Sequence, residues 1–170
     1  EAGWGLSQHT SLQMGSGGSA TAHLSINLTT TKAPTSGSNV QIKLRCPSWA
    51  GAGSTVQVMR GGHAVATVPA TPGSFLAVPA PGAKTGPGGW KEGDVVRAVY
   101  LMEPKLKPIN DKRPAYKGVA AITLGPMVMG GLTSGGNTIV ADAAKVANWV
   151  VPASPGAHVT KSRPRLTAMG

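Results

Sequence analysis

The sequence predicts an all-β fold, an antiparallel β-sandwich of jelly-roll-like type, and three observations carry that prediction. Apolar and polar residues alternate with a period of two over several short runs, which is how a strand half buried on one face reads. The runs recur at intervals of roughly 8–12 residues, the spacing of sandwiches and barrels rather than of α/β folds. Between them fall many of the 24 glycines and 14 prolines of the 170-residue chain. A helical bundle could not absorb so many breakers.

Taken in chain order, the first clear element is Thr21 to Leu28, with Ala22, Leu24, Ile26 and Leu28 on one side and Thr21, His23, Ser25 and Asn27 on the other. Val40, Ile42 and Leu44 repeat the pattern against Gln41, Lys43 and Arg45, and the turn composition of residues 33–38 between the two runs suggests a hairpin-like pair. Further strands are expected over Thr55–Arg60, Ala64–Val68, Ser74–Val78, Val95–Met102, Val119–Leu124 and Met127–Met129. Gly61-Gly62 suits a tight hairpin turn, because glycine meets no Cβ penalty at positive φ. Pro79 to Gly89 is a low-complexity loop expected to protrude. Asp142 to Trp149 has room for two helical turns with Asp142 as N-cap, ended by Pro152 and Pro155. The chain therefore divides into a β-sandwich over 1–132 and, over 133–170, a linker, short helix and irregular tail leading to a following segment. It opens on Glu1 rather than Met, the start of a processed product or of a piece of something larger.

Hydrophobic residues make up 41% of the chain but aromatics only 4%, so the core must rest on aliphatic side chains. Sixteen Lys and Arg against six Asp and Glu give a formal charge of +10, which suits an acidic partner. No run approaches the ~18 apolar residues of a membrane-spanning helix, and no membrane partner is expected. Lys105, Lys107, Lys112, Arg113 and Lys117 crowd one stretch, relieved only by Asp111. A solvated basic face explains it first and an anionic polysaccharide second. Nucleic acid is not expected, since only Tyr116 is there to stack on a base.

Few residues suggest chemistry. Glu92 and Asp94 are the one close pair of carboxylates, but Trp90-Lys91-Glu92-Gly93-Asp94 has the composition of a β-turn. His9, His23, His63 and His158 show no metal-ligand spacing, so no metal is expected in this segment. The lone Cys46, before Pro47, fits a small buried hydrophobe better than a nucleophile. No catalytic residue is assigned. Asn27-Leu28-Thr29 is the one glycosylation sequon, and Asn27 could carry a glycan in a secreted chain, the location it favours.

Three segments in order resemble the β-L-arabinofuranosidase-like glycoside hydrolases of family 127, formerly a domain of unknown function. Val40 to Ala50, with Leu44-Arg45-Cys46-Pro47-Ser48-Trp49, is similar to the family's L-R-I-P-S-W strand, Cys46 standing where Ile is usual. Pro72-Gly73-Ser74-Phe75-Leu76 and Trp90-Lys91-Glu92-Gly93-Asp94 resemble its G-x-F/Y-L and W-x-x-G-D pattern. Ile109-Asn110-Asp111-Lys112-Arg113-Pro114-Ala115-Tyr116, running on to Leu124-Gly125-Pro126, is the most specific of the three. Leu132-Thr133-Ser134-Gly135 and Asn148-Trp149-Val150-Val151-Pro152 are similar to the continuation in plant-type members.

The resemblance implies a non-catalytic β-sandwich from an enzyme that degrades arabinose-containing glycans. Its catalytic Cys, Glu acid/base and Cys- and Glu-bound zinc would belong to an upstream (α/α)-barrel, the expected partner, whose motifs have no counterpart here. Within the sandwich it points to Asp111 and Arg113 as a structural ion pair, with Pro114 fixing the turn, and to Trp49 and Trp90 as plugs of the core or its interface rather than sugar-stacking platforms. The alternative is a stand-alone carbohydrate-binding module, with exposed tryptophans on sugar rings and a basic face drawing acidic plant or algal polysaccharide.

Overall fold

The computed structural model describes residues 3–14, 20–30, 41–82, 89–130, 142–146 and 150. Their fold is all-β, antiparallel and sandwich-like. The strands are β1 (Trp4–Met14), β2 (Ala20–Thr30), β3 (Ile42–Arg45), β4 (Thr55–Arg60), β5 (His63–Pro69), β6 (Phe75–Val78), β7 (Val95–Met102), β8 (Pro104–Pro108), β9 (Ala120–Leu124) and β10 (Met127–Val128). They form a five-stranded sheet in the order β1-β2-β7-β4-β5, a three-stranded sheet β10-β9-β8 and a two-stranded ribbon β3-β6.

Alternation explains which face is buried. The inner face of the large sheet is built from Leu28 of β2, Val56 and Val58 of β4, and Val96, Ala98 and Tyr100 of β7, all buried. Across the core lie Ile42 and Leu44 of β3 and Val78 of β6, joined by Cys46, Ala50, Ala70 and Trp90 in one cluster. Ala20, Met102 and Leu124 close the end of the core beneath the small sheet. The side chains are mainly aliphatic, as an aromatic-poor composition requires. Ser54, buried among them, is satisfied on both sides: its hydroxyl donates to the Gly51 carbonyl at 2.7 Å and accepts the Leu101 amide at 3.0 Å. At the β4–β5 hairpin Gly61 and Gly62 take φ of 59° and 81°, the left-handed pair that a tight two-residue turn demands.

The structure corrects several expectations. Thr21–Leu28 and Ile42–Arg45 do not pair: β2 lies between β1 and β7, while β3 pairs with β6. A period of two fixes the buried face but leaves the neighbour open. On the inward side the long β7 offers β2 an apolar rung at every second step, Ile26 beside Val96 and Leu24 beside Ala98. Strand β1 escapes the pattern because Gln8 and Thr10 interrupt its apolar side, yet it pairs with β2 along its whole length. Strand β8 is hidden in the basic stretch, and its terminal prolines are tolerated because it is an edge strand.

The loop after Pro79 does not simply protrude. Ala80 packs against the core and Pro81 is buried, while residues 83–88 lie outside the described residues. Asp142 does cap a helical turn, accepting the Ala144 amide at 2.9 Å; the turn opens as a 3-10 helix over Ala143–Lys145, and Val146 after it is α-helical, its carbonyl accepting the Val150 amide at 2.9 Å. The remaining expectations for 131–141, 147–149 and 151–170 also fall outside the described residues.

Candidate functional site

The turn preceding β7 is organised around one carboxylate. Gly93, at φ 82°, lets the chain reverse so that the Asp94 amide donates to the Lys91 carbonyl at 3.1 Å. Backbone bonds between Leu28 and both Gly93 and Asp94 tie this turn to β2. The Asp94 side chain is turned inward and only 1% exposed. It accepts from Arg60 Nε and Nη2, each at 2.7 Å, and from the Lys91 amide at 2.8 Å. The same guanidinium donates to the Gly89 carbonyl at 2.9 Å. Residues 89 and 91 are thus held from either side, and Trp90 between them is inserted into the core. Hydrogen bonding to Asp94 holds the Arg60 guanidinium above its ordinary pKa. Sequence reasoning took Glu92 and Asp94 as a turn pair and missed Arg60, which lies 34 residues away and meets Asp94 only because β4 and β7 are neighbours.

The stretch after β8 is a second braced element. Asp111 accepts from the Arg113 backbone amide at 2.9 Å and from both Nε and Nη2 of its guanidinium, the shortest contact being 2.7 Å. The guanidinium lies 4.5 Å from the centre of the Tyr116 ring. Pro114 opens a 3-10 turn ending at Tyr116, and its fixed φ suits that first position. The Ile109 amide closes the loop on the Val119 carbonyl at 3.0 Å. The Arg113 hydrogen bonds hold the Asp111 carboxyl below the usual carboxylate range. Ile109, Tyr116 and Val119 are nevertheless exposed, by 44%, 39% and 41%. Lys105, Lys107, Lys112 and Lys117 are also exposed along this end of the fold.

Trp49 is half buried, packs on both core clusters and meets Tyr100 edge-on at 5.9 Å. Cys46 is fully enclosed, and burial pushes its thiol pKa up, the reverse of what a nucleophile needs. Tyr100 donates to the Arg45 carbonyl at 3.2 Å, and burial first, then the neighbouring Cys46, pushes its pKa from 10.0 up to about 12. A raised folded-state pKa means that the unfolded chain ionises first. The stability from keeping this phenol neutral is therefore complete below pH 10 and is lost as the pH rises from 10.0 to about 12. Alkaline titration followed by phenolate absorbance and circular dichroism should show unfolding coupled to late ionisation, and Tyr100→Phe should remove that component.

On β1 and β2 the outer face of the five-stranded sheet is polar, while β7 adds Val95, Val99 and Leu101 beside Arg97. Pairing of β1 with β2 sets Ser11 beside His23 and His9 beside Ser25. Two histidines that look scattered in the sequence therefore share one surface, which only recognition of β1 could have revealed. Asn27 lies on the same face, half buried, with its side-chain amide 3.4 Å from the Ser7 hydroxyl. Among the described residues no three His, Cys, Asp or Glu side chains come together to hold a metal ion. No protein-family model, curated protein or solved structure matches the chain.

Proposed function

We propose that the chain is the non-catalytic β-sandwich portion of a β-L-arabinofuranosidase-like glycoside hydrolase, packed beside an (α/α)-barrel that carries out the hydrolysis of arabinose-containing glycans. The observation that supports this reading most is the 109–119 loop. Its Asp111–Arg113–Tyr116 stack and its Ile109–Val119 backbone bond brace it internally, yet it turns three large apolar side chains to solvent. A loop already ordered gives up little conformational freedom on docking, and an exposed apolar cluster gains from being covered. Covering the remaining exposed parts of Ile109 and Val119 would contribute on the order of 2 kcal/mol.

In this reading the zinc and the reacting groups belong to the barrel. The described residues do not fit that metal, since Cys46 is enclosed and the carboxylate of Asp94 is committed to Arg60. The expected role of the chain is to bury apolar surface of the barrel and support the rim of its active site. The test is to produce a barrel of this enzyme class alone, fused to the 170-residue chain, and fused to the Ile109→Ser/Val119→Ser variant. The intact chain should raise the solubility and melting temperature of the barrel, and the variant should lose most of that gain. Identical barrel melting in all three proteins would rule the supporting role out.

A further inference from the structure

The outer face of the five-stranded sheet contains a groove of about 440 Å³, and none of its lining residues belongs to the 109–119 loop. Strand register builds it. His9, Ser25, Arg97 and Gln57 stand side by side on β1, β2, β7 and β4, and Ser11 and His23 form an adjacent rung. Neighbouring strands place these groups about 4.8 Å apart, so a ligand lying across the strands meets a polar side chain at each step. No carboxylate lines the groove, and Arg97 is its one permanent charge. Among the described residues the Arg97 guanidinium makes no ion pair, whereas Arg60 and Arg113 are both committed to aspartates. Beside Leu24 and Val99, the groove thus presents hydroxyl, amide and imidazole groups around a single planar cation that has no anion among the described residues.

We propose that this groove binds an acidic glycan, with a uronate carboxylate seated on Arg97 and ring hydroxyls hydrogen-bonded by Ser25, Gln57 and His9, while His23 is held by the Thr21 hydroxyl at 3.0 Å. The guanidinium fork matches a carboxylate in a bidentate way, and Ser, Gln and His can both donate to and accept from sugar hydroxyls. Nucleic acid fits less well. One cation neutralises one phosphate, and no Phe, Tyr or Trp lines the groove to stack on a base. The site neither uses nor requires the 109–119 loop, so it stands whether or not the chain docks on a barrel.

The test is a nuclear magnetic resonance titration of the 170-residue chain with trigalacturonate, a neutral arabinan oligosaccharide and a short DNA duplex in separate arms. Trigalacturonate should shift the amides of Ser25, Gln57 and Arg97 saturably, and more strongly than either other ligand. Arg97→Gln, at an exposed position, should weaken trigalacturonate about tenfold, the scale of one charge-assisted bidentate contact. Lys43→Gln, at an exposed position on β3 outside the groove, should leave the affinity unchanged. Absence of saturable shifts would overturn the proposal, as would equal affinity in Arg97→Gln. Equal binding of duplex and trigalacturonate, weakened alike by Lys43→Gln, would mean general attraction to a basic protein and would overturn it too. Failure in any of these arms leaves barrel docking untouched, because no barrel is present.

Discussion

Asp94→Ala is expected to destabilise the fold by about 2–4 kcal/mol, read as a lower denaturant midpoint at unchanged slope. Three donors converge on this carboxylate, two from Arg60 and one from the Lys91 amide. Truncation strands them together in a setting where Asp94 itself is 1% exposed. Arg60 retains 31% exposure and can recover some hydration, which keeps the loss below that of a fully enclosed pair. Asp94→Asn should fall between wild type and Ala, because its amide oxygen can still accept one bond while the charge is gone. Raising salt should barely change the gap between wild type and either variant, since a pair whose carboxylate is shielded from water is weakly screened. The solvent-facing Asp111–Arg113 pair should behave oppositely, with Asp111→Asn giving a smaller effect that salt erases.

What could be read from the sequence follows from how local each feature is. The period-two runs at β2, β4 and β7 disclose strands and their buried faces, because side-chain alternation is a property of one strand alone. The Gly61-Gly62 hairpin and the Gly93 turn are legible for the same reason. Neighbour choice is not local. The β2–β7 pairing, the Arg60–Asp94 contact and the His9–His23 surface each join segments far apart in the chain, and each exists only once the sheet order is known. Strand β1 was hidden for a different reason: Leu6, Leu12 and Met14 on its inward-facing side remain 63%, 53% and 40% exposed, so no burial pressure imposes a clean alternation on it.

Trp90→Ala is expected to have the largest effect of any single change, about 3–5 kcal/mol, the cost of emptying a buried indole site. Trp90 is 6% exposed and belongs to the same cluster as Val56, Val58 and Ala98. It therefore has no free ring face to offer a sugar, and the variant should unfold at markedly lower denaturant while the Arg97 groove of any folded fraction keeps its ligand. A stably folded Trp90→Ala that loses saccharide binding would instead make the indole a stacking platform and contradict its core role. The clamp adds a sharper expectation. Arg60 grips the Gly89 carbonyl and Asp94 grips the Lys91 amide, so the pair fixes the backbone on both sides of the indole. Once the clamp is gone, Trp90 is held less firmly and has less stability to lose. The double variant Trp90→Ala/Asp94→Ala should accordingly be less destabilised than the two single losses added together, by about 0.5–3 kcal/mol. Strict additivity in that cycle would show that ion pair and indole stabilise the sandwich independently, and that the turn before β7 is not the device that seats Trp90.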